Sequence, residues 1–243
     1  MSNNHLLMWL EAPLQSWGHD SKFGRRDTLN FPTLSGVLGL ICAATGRGGT
    51  QESFLASFAD TEMGVIAYTK TQQRGGVGPI KKPREPLLRD FQMVGSGYDD
   101  KDVWQNLLIP KTSAGKKAVG SGAKMTYRYY LQDMAFAVVL ELPREHAAEI
   151  SDKLQSPVWD LYLGRKSCVP TDLIYRGLYA DQKGALTAAT EIANSKILAE
   201  DFRVLSGSHE GEVLTLNDIP TRFGTQKQYR DRTVTVVEAV TES

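Results

Sequence analysis

The chain has 243 residues, of which 41% are hydrophobic and 23% charged, a composition typical of a globular protein and unlike that of a disordered or fibrous one. The two cysteines, Cys42 and Cys168, are too few and too far apart for a disulfide framework or a zinc motif, and no apolar run approaches the roughly 18 residues of a membrane helix. We therefore expect a cytoplasmic protein without a membrane partner. The 28 basic and 28 acidic residues cancel, so net charge indicates no class of partner.

The first part of the chain predicts a strand, two helices and a second strand. Residues 5–10 form a short apolar run. A helix is then predicted to begin after Thr33 and to end at Gly46, because a capping side chain and a glycine frame a periodic apolar stretch. A second helix is predicted at 51–59, followed by a β-branched strand at 64–68.

Residues 71–126 are rich in glycine and proline, which indicates an insertion. Strand-like pieces at 87–94 and 103–109 flank a turn-prone segment at 95–100, so the sequence predicts a protruding β-hairpin, or thumb. From residue 70 to residue 128 there are twelve Lys and Arg against five Asp and Glu. Such a cationic segment would attract phosphates locally, and it is equally consistent with a solvated loop.

The second half of the chain completes the predicted sheet. The predicted elements are a buried strand at 135–142, a helix at 145–154, a loop at 164–167, a helix at 183–193, and short strands at 202–205, 213–216 and 233–237. Strand pairs that bracket helices predict an α+β fold with a ferredoxin-like βαββαβ sheet, which is also the architecture of the RRM. We expect residues 1–158 to form this RRM-like domain, with the thumb inserted at about 71–126, and residues 159–243 to form a small C-terminal extension packed on it.

Residue spacing does not support an enzymatic site. The four histidines form no HExxH pattern, and the 164–167 loop fails as a phosphate-binding P-loop because Trp159 occupies the place of its first glycine. Cys42 lies on the apolar helix and is expected in the core. We therefore expect no catalytic residue, no cofactor and no metal ion.

One enzymatic alternative stays open. Tyr127, Tyr129 and Tyr130 lie close in sequence to Lys124 and Arg128, and such groups position or deprotonate a ribose hydroxyl in a metal-independent ribonuclease. The reference pKa values of tyrosine and lysine are near 10, so a base at neutral pH would require a special environment. The same residues serve equally well to cradle RNA.

Features of an RNA-binding surface begin near the N-terminus. Trp17, Phe23 and Phe31 alternate with Lys22, Arg25 and Arg26, which places rings for base stacking beside partners for phosphates. The alternative is that Trp17 and Phe31 pack under the loop. The start of the helix after Thr33 also favours an anion.

Four segments, taken together, resemble a known family. They are APLQSWG at 12–18, FPTLSGVLGL at 31–40, YYLQDMAF at 129–136 and YLGRKSC at 162–168. Their order and spacing resemble the CasD subunits of Cascade, the type I-E CRISPR surveillance complex. One departure is Val169, which separates Cys168 from Pro170 where family members tend to place proline directly after the cysteine.

The resemblance implies a modified RRM-like fold with a β-hairpin thumb and a non-catalytic role in binding the repeat-derived 5′ handle of CRISPR RNA. Such a subunit caps the backbone filament, its thumb contacts the neighbouring backbone subunit, and the large PAM-recognising subunit docks nearby. In related type I-C systems the counterpart is itself the endoribonuclease that processes precursor RNA. This sequence looks unlike that branch, since it lacks a Lys-His pair after the insertion.

The RNA-binding residues expected from the pattern and the resemblance together share a basic, aromatic, amide, hydroxyl or glycine character. They are Gln15, Trp17, Gly18, Arg25, Arg26, Ser35, Gly36, Lys81, Lys82, Arg84, Lys116, Lys117, Tyr127, Arg128, Gly164, Arg165, Lys166 and Ser167. Glycines at 18, 36 and 164 would allow close approach of the RNA backbone, since a Cβ would hold it away.

Overall fold

The computed structural model describes residues 4–18, 24–74, 77–94, 99, 101–109, 111–118 and 124–239, which form ten strands and five helices. The strands are β1 (Asn4–Gln15), β2 (Arg25–Arg26), β3 (Met63–Arg74), β4 (Val77–Lys81), β5 (Leu88–Val94), β6 (Lys124–Leu142), β7 (Tyr175–Tyr179), β8 (Leu198–Ser206), β9 (Glu212–Arg222) and β10 (Gln228–Glu238). The helices are α1 (Leu34–Thr45), α2 (Glu52–Ala56), α3 (Val103–Leu108), α4 (Arg144–Gln155) and α5 (Gln182–Ser195). Within these ranges no helix is long and apolar enough to cross a membrane.

One large sheet organises the molecule. The order of strands along its main path is β7-β1-β6-β3-β8-β10-β9, and neighbouring strands are antiparallel. Outside this path, β4 pairs with β3, and β5 and β2 pair with β6. The predicted mixed helix and strand fold is confirmed, whereas a ten-stranded sheet does not by itself confirm the βαββαβ topology. Strands on both sides of residue 158 share this sheet, since β7 pairs with β1 and β8 pairs with β3. The division into 1–158 and 159–243 stays a prediction.

The sheet is covered on both faces. In β1, Leu6, Met8 and Leu10 pack in the cluster that contains α1, α2 and α4. Leu7 and Trp9 point the other way, toward α5. Successive strand residues face opposite sides, so a continuous apolar run is what a doubly covered strand requires.

Helix α1 follows the predicted boundaries. The Thr33 side chain accepts a hydrogen bond from the Gly36 N–H at 3.1 Å, which satisfies one of the donors left free at a helix start. Gly46 ends the helix in the left-handed region, with φ 72°. The prediction of this helix is confirmed, and both signals were local in sequence.

Helix α5 closes the sheet face that an RRM leaves open for RNA. Ala185, Ala189 and Ala193 are all buried against it, and their four-residue spacing makes one stripe of small side chains. This central face of the sheet is therefore covered by α5.

The insertion differs from its prediction in one strand. The strand expected at 87–94 is present as β5, but its partner is β6, and the stretch expected as a second strand is helix α3. The Asp102 side chain decides this, because it accepts hydrogen bonds from the N–H groups of Trp104 and Gln105 and so caps a helix. The expected turn at 95–100 lies almost wholly outside the described residues.

Candidate nucleic-acid interface

An open groove of about 540 Å³ lies beside α1, the segment after β1 and the loop at 164–167. It brings together seven of the sequence-predicted residues, namely Trp17, Gly18, Arg26, Ser35, Gly36, Gly164 and Arg165. Three of the four segments that carry the family resemblance therefore meet at one place. Lys22 and Phe23, expected near the same loop, lie outside the described residues.

Two predicted contacts, Gln15 and Trp17, prove to be core side chains. Gln15 is fully buried, and its amide donates to the carbonyl oxygens of Leu10 at 3.1 Å and Met134 at 2.7 Å. The ring of Trp17 is 1% exposed, and its indole N–H donates to the Gln15 side chain. The structure therefore corrects the expected base stacking by Trp17. The side chains of Gln15 and Trp17 are both turned away from solvent, and they hold the loop in place.

The glycines of the groove serve the packing of the chain itself. A Cβ on Gly164, which has φ 102°, would lie 1.8 Å from the backbone oxygen of Ser16. A Cβ on Gly36 would lie 2.8 Å from the Trp17 ring. Among the described residues none lies within 4 Å of a Cβ placed on Gly18, so of the three it alone fits the expected role of leaving room for RNA.

Arg165 joins three segments of the groove wall. Its guanidinium donates to the backbone oxygens of Tyr129 and Arg26, both at 2.9 Å, and lies 4.6 Å above the Tyr130 ring. Two of the five N–H donors of the guanidinium are thereby engaged within the chain. The structure thus gives Arg165 a role in positioning the groove wall, and its direct contact with RNA stays a prediction.

The N-terminus of α1 already holds an anion of the chain itself. The Leu34 N–H donates to Asp218 Oδ2 at 2.8 Å, and Arg232 donates to both oxygens of this carboxylate at 2.7 and 3.0 Å. The expected phosphate position at this helix start is therefore taken by Asp218. Ser35 remains on the groove, with its hydroxyl 3.3 Å from that of Thr33.

The cations around the groove divide into engaged and available groups. Arg25 pairs with Asp27 at 2.8 Å, and Arg47, a groove residue that the sequence did not indicate, forms two hydrogen bonds to Glu149 at 2.7 and 2.8 Å.

In contrast, the part of the chain that the structure describes offers no ion pair to Arg26, Lys166 or Lys227. Arg26 and Lys227 line the groove, and Lys166 is exposed next to Arg165. These three residues supply the charge available for phosphates.

Residues from distant parts of the chain complete the groove. Trp159 stands on one wall, and Lys227 and Tyr229 come from the β9–β10 hairpin. Sequence reasoning missed them, because nothing local shows that this hairpin folds next to α1. A tryptophan two residues after the helix-breaking Pro157 was the one signal in the sequence.

The predicted cations of the insertion lie away from this groove. Lys81 and Arg84 both pair with the buried carboxylate of Asp201 on β8, and Lys82 pairs with Glu85 at 2.7 Å. The first two anchor the insertion to the sheet and are corrected to structural residues. The remaining predicted residues outside the groove lining are Lys116, Lys117, Tyr127, Arg128 and Ser167.

The residues of the alternative ribonuclease site are spread over different environments. Tyr130 is buried beneath Arg165, whereas Tyr127 is 40% exposed and packs 5.2 Å from the Phe91 ring. Adjacent residues of a strand point to opposite faces, which separates Arg128 from both of its tyrosine neighbours. Cys42 is buried, which confirms the core position predicted from the sequence, and burial raises the pKa of its thiol to about 11.

The fold and its groove define a class of protein: the chain belongs to the CRISPR-associated protein family Cas_Cas5, whose model matches residues 5–235. It is 28% identical to the CRISPR system Cascade subunit CasD of Escherichia coli (strain K12) over 178 residues, which are 72% of this chain and 70% of that protein. The resemblance seen in the four segments is confirmed.

Solved structures agree with this family membership. A chain of a CRISPR RNA-guided surveillance complex superimposes with a TM-score of 0.68 at 27% identity, covering 97% of this chain and 90% of that one. A Cas protein solved by crystallography gives a TM-score of 0.53 at 27% identity, over 97% of this chain and 94% of the other.

Proposed function

We propose that the chain is a non-catalytic CRISPR RNA-binding subunit of a Cascade surveillance complex in the cytoplasm, and that its groove holds the repeat-derived 5′ handle. The observation that carries this proposal is the convergence of three family segments on one groove that is lined by Arg26 and Lys227, with the exposed Lys166 next to the groove residue Arg165. Similarity to CasD supports the assignment to Cascade.

The groove suits a single strand held mainly through its backbone. Contacts from arginine and lysine to phosphates position a nucleic acid and supply affinity, but they carry no sequence information. Arg165, Gln15 and Trp17 keep the walls fixed, so the RNA meets a surface that is already formed. This preorganisation lowers the free-energy cost of binding.

We propose further that β7, β1, β6 and β3 form a ferredoxin-like unit to which the other strands are added. In chain order these strands and their main connecting helices are β1, α1, β3, β6, α4 and β7, which matches βαββαβ apart from the short β2 and α2 in the connection from β1 to β3. Their order in the sheet, with each neighbour antiparallel, supports the same topology.

The arm made by β5 and the first part of β6 is the proposed contact for the Cascade backbone subunit. Phe91, Met93, Met125 and Tyr127 lie opposite one another across the two strands, and 40 to 56% of each residue is exposed. A contiguous exposed apolar surface of this kind is typical of a protein interface. The large PAM-recognising subunit is proposed to dock nearby, as the family resemblance implies.

Removal of the available charges tests the groove. In the triple variant Arg26→Ala, Lys166→Ala, Lys227→Ala, the dependence of handle affinity on salt should become shallower by roughly 2 to 3 in the log–log slope, since each lost phosphate contact with a single strand removes about 0.7. Lys183→Ala, an exposed cation on α5 at the opposite sheet face, is the matched control and should leave the slope unchanged. If the triple variant keeps the same salt dependence of affinity as the parent, the RNA does not bind in this groove.

Cleavage separates the binding subunit from the ribonuclease alternative. The purified chain is incubated with labelled repeat RNA in EDTA, and the products are separated on a gel. Retention of intact RNA supports the non-catalytic role. Site-specific cleavage that persists in EDTA would make the protein a metal-independent processing nuclease, with Tyr127 to Tyr130 as the first residues to mutate.

A further inference from the structure

Trp159 is a half-exposed tryptophan that lies on a wall of the groove where none of the sequence-predicted residues lies. Trp159 exposes 49% of its surface, although large apolar side chains are usually buried. Its backbone is fixed, because the N–H groups of Val158 and Trp159 donate to the carbonyl oxygens of Ala44 and Ala43 near the end of α1, at 2.9 and 3.3 Å. The ring is therefore presented from a rigid support.

The surroundings of this ring match a nucleotide. Lys227 and Tyr229 line the same groove, and Arg26 lies on it as well. The α1 residues on the groove are all small, and Gly39 and Ala43 are among them. A volume of about 540 Å³ falls within the range of small-ligand sites. An aromatic face next to unpaired cations is the combination by which proteins hold unstacked bases.

An alternative occupant of this groove is an apolar segment of a protein partner that packs against Trp159. The cations on the same groove argue against this alternative, because an apolar peptide gains no affinity from Arg26 and Lys227. Gly48 also adjoins the ring, since a Cβ there would lie 3.4 Å from Trp159 Cη2. The absence of a side chain at this position leaves the ring edge uncrowded.

We propose that Trp159 stacks on one unpaired base of the bound RNA and that Lys227 binds a phosphate next to that base. The proposal rests on the proposed function and deepens it. Every base has a flat π-face, so this contact adds affinity at one position of the RNA without selecting the base there. We therefore expect RNA affinity to depend on the presence of a base at one position but not on which base stands there.

An abasic scan tests the stacking. Handle RNAs that each lack one base are titrated against the full chain, against Trp159→Ala and against Trp159→Phe. For the parent, one abasic position should lower affinity about tenfold, whereas any of the four bases there should bind alike. Trp159→Ala should bind intact RNA about tenfold more weakly. In this variant, removal of the base at that one position should cause no further loss of affinity. Trp159→Phe, which keeps a ring, should retain most of the affinity.

Trp104→Ala is the matched control, because Trp104 is 78% exposed on α3, outside the groove lining. It should leave the abasic penalty as in the parent, and the melting temperature of each variant verifies folding. If the parent does not bind the RNA, the proposed function fails and this inference fails with it. If the parent binds and Trp159→Ala binds equally well, or loses affinity without removing the penalty at one position, the stacking proposal alone is overturned.

Discussion

At the scale of single residues, Gly164 is the position where the groove tolerates change least. Its φ of 102° disfavours any residue with a Cβ, and that Cβ would overlap a backbone oxygen that cannot rotate away. Gly164→Ala should lower the free energy of unfolding by roughly 3 kcal/mol, measured by urea denaturation. Gly18→Ala, in open space, is the control and should change stability by no more than about 0.5 kcal/mol. Equal stabilities of the two variants would contradict the proposed packing.

Two adjacent cations of the loop at 164–167 are expected to act in different ways. Arg165→Ala removes two hydrogen bonds to backbone oxygens, so it should cost about 2 kcal/mol of stability. Lys166→Ala should leave stability unchanged and reduce the salt slope of RNA binding by about 0.7 to 1. Urea denaturation and a salt titration of both variants separate these effects. If the salt slope of RNA binding falls only in Arg165→Ala, then Arg165 and not Lys166 contacts a phosphate.

At the scale of elements, α1 is held at its start by the β9–β10 hairpin. Asp218 joins the Leu34 N–H to the guanidinium of Arg232, and the two side chains of this ion pair are 4% and 10% exposed. Removing one partner of a buried pair leaves the other charge uncompensated. Asp218→Asn should therefore destabilise the protein by about 3 kcal/mol, whereas Asp218→Asn combined with Arg232→Leu should recover part of this loss. Additive effects in thermal or urea denaturation would show that the two side chains are not coupled.

The link between α1 and α4 should depend on pH. The hydrogen bonds from Arg47 lower the pKa of Glu149 below its ordinary value of 4.5. A carboxylate with a lowered folded-state pKa stabilises the protein above pH 4.5, and this contribution is lost as the pH falls through the folded-state pKa. Glu149 is 41% exposed, so the difference in unfolding free energy between the parent and Glu149→Gln should be below about 1 kcal/mol at pH 7. It should shrink as the pH falls below 4.5 and through the folded-state pKa, and a difference that does not shrink on acidification would contradict the assignment.

At the scale of the whole molecule, local signals predicted single elements and long-range pairing decided the site. Thr33 and Gly46 determined α1 because caps act within one turn. The stretch at 103–109 was predicted as a strand from its apolar residues, but Val103, Trp104 and Leu107 are exposed, so burial does not determine its conformation. A capping aspartate directly before it was the better signal.

The groove could be predicted in part for the same reason. The family segments at 12–18 and 31–40 lie close in sequence, and the resemblance added the distant segment at 162–168 to the same site. Lys227 and Tyr229 reach the groove only because β10 pairs with β8 and β8 pairs with β3. No sequence spacing reveals such a chain of pairings. Burial of Gln15 was equally hidden, whereas burial of Trp17 was an alternative that the sequence left open, since a polar or aromatic residue in a loop serves a core as readily as a surface.

The pairing of β1 with β6 has a consequence for how this protein is made. Leu6 pairs with Leu140, so the ribosome must add roughly 130 residues before the first strand meets its partner. At about 5 to 20 residues per second, this takes roughly 7 to 26 seconds. During that interval the apolar run at 6–10 has neither β6 nor β7 beside it, and collisions with other nascent chains compete with folding. The yield of folded protein should therefore depend on synthesis rate and growth temperature as much as on the stability of the finished sheet.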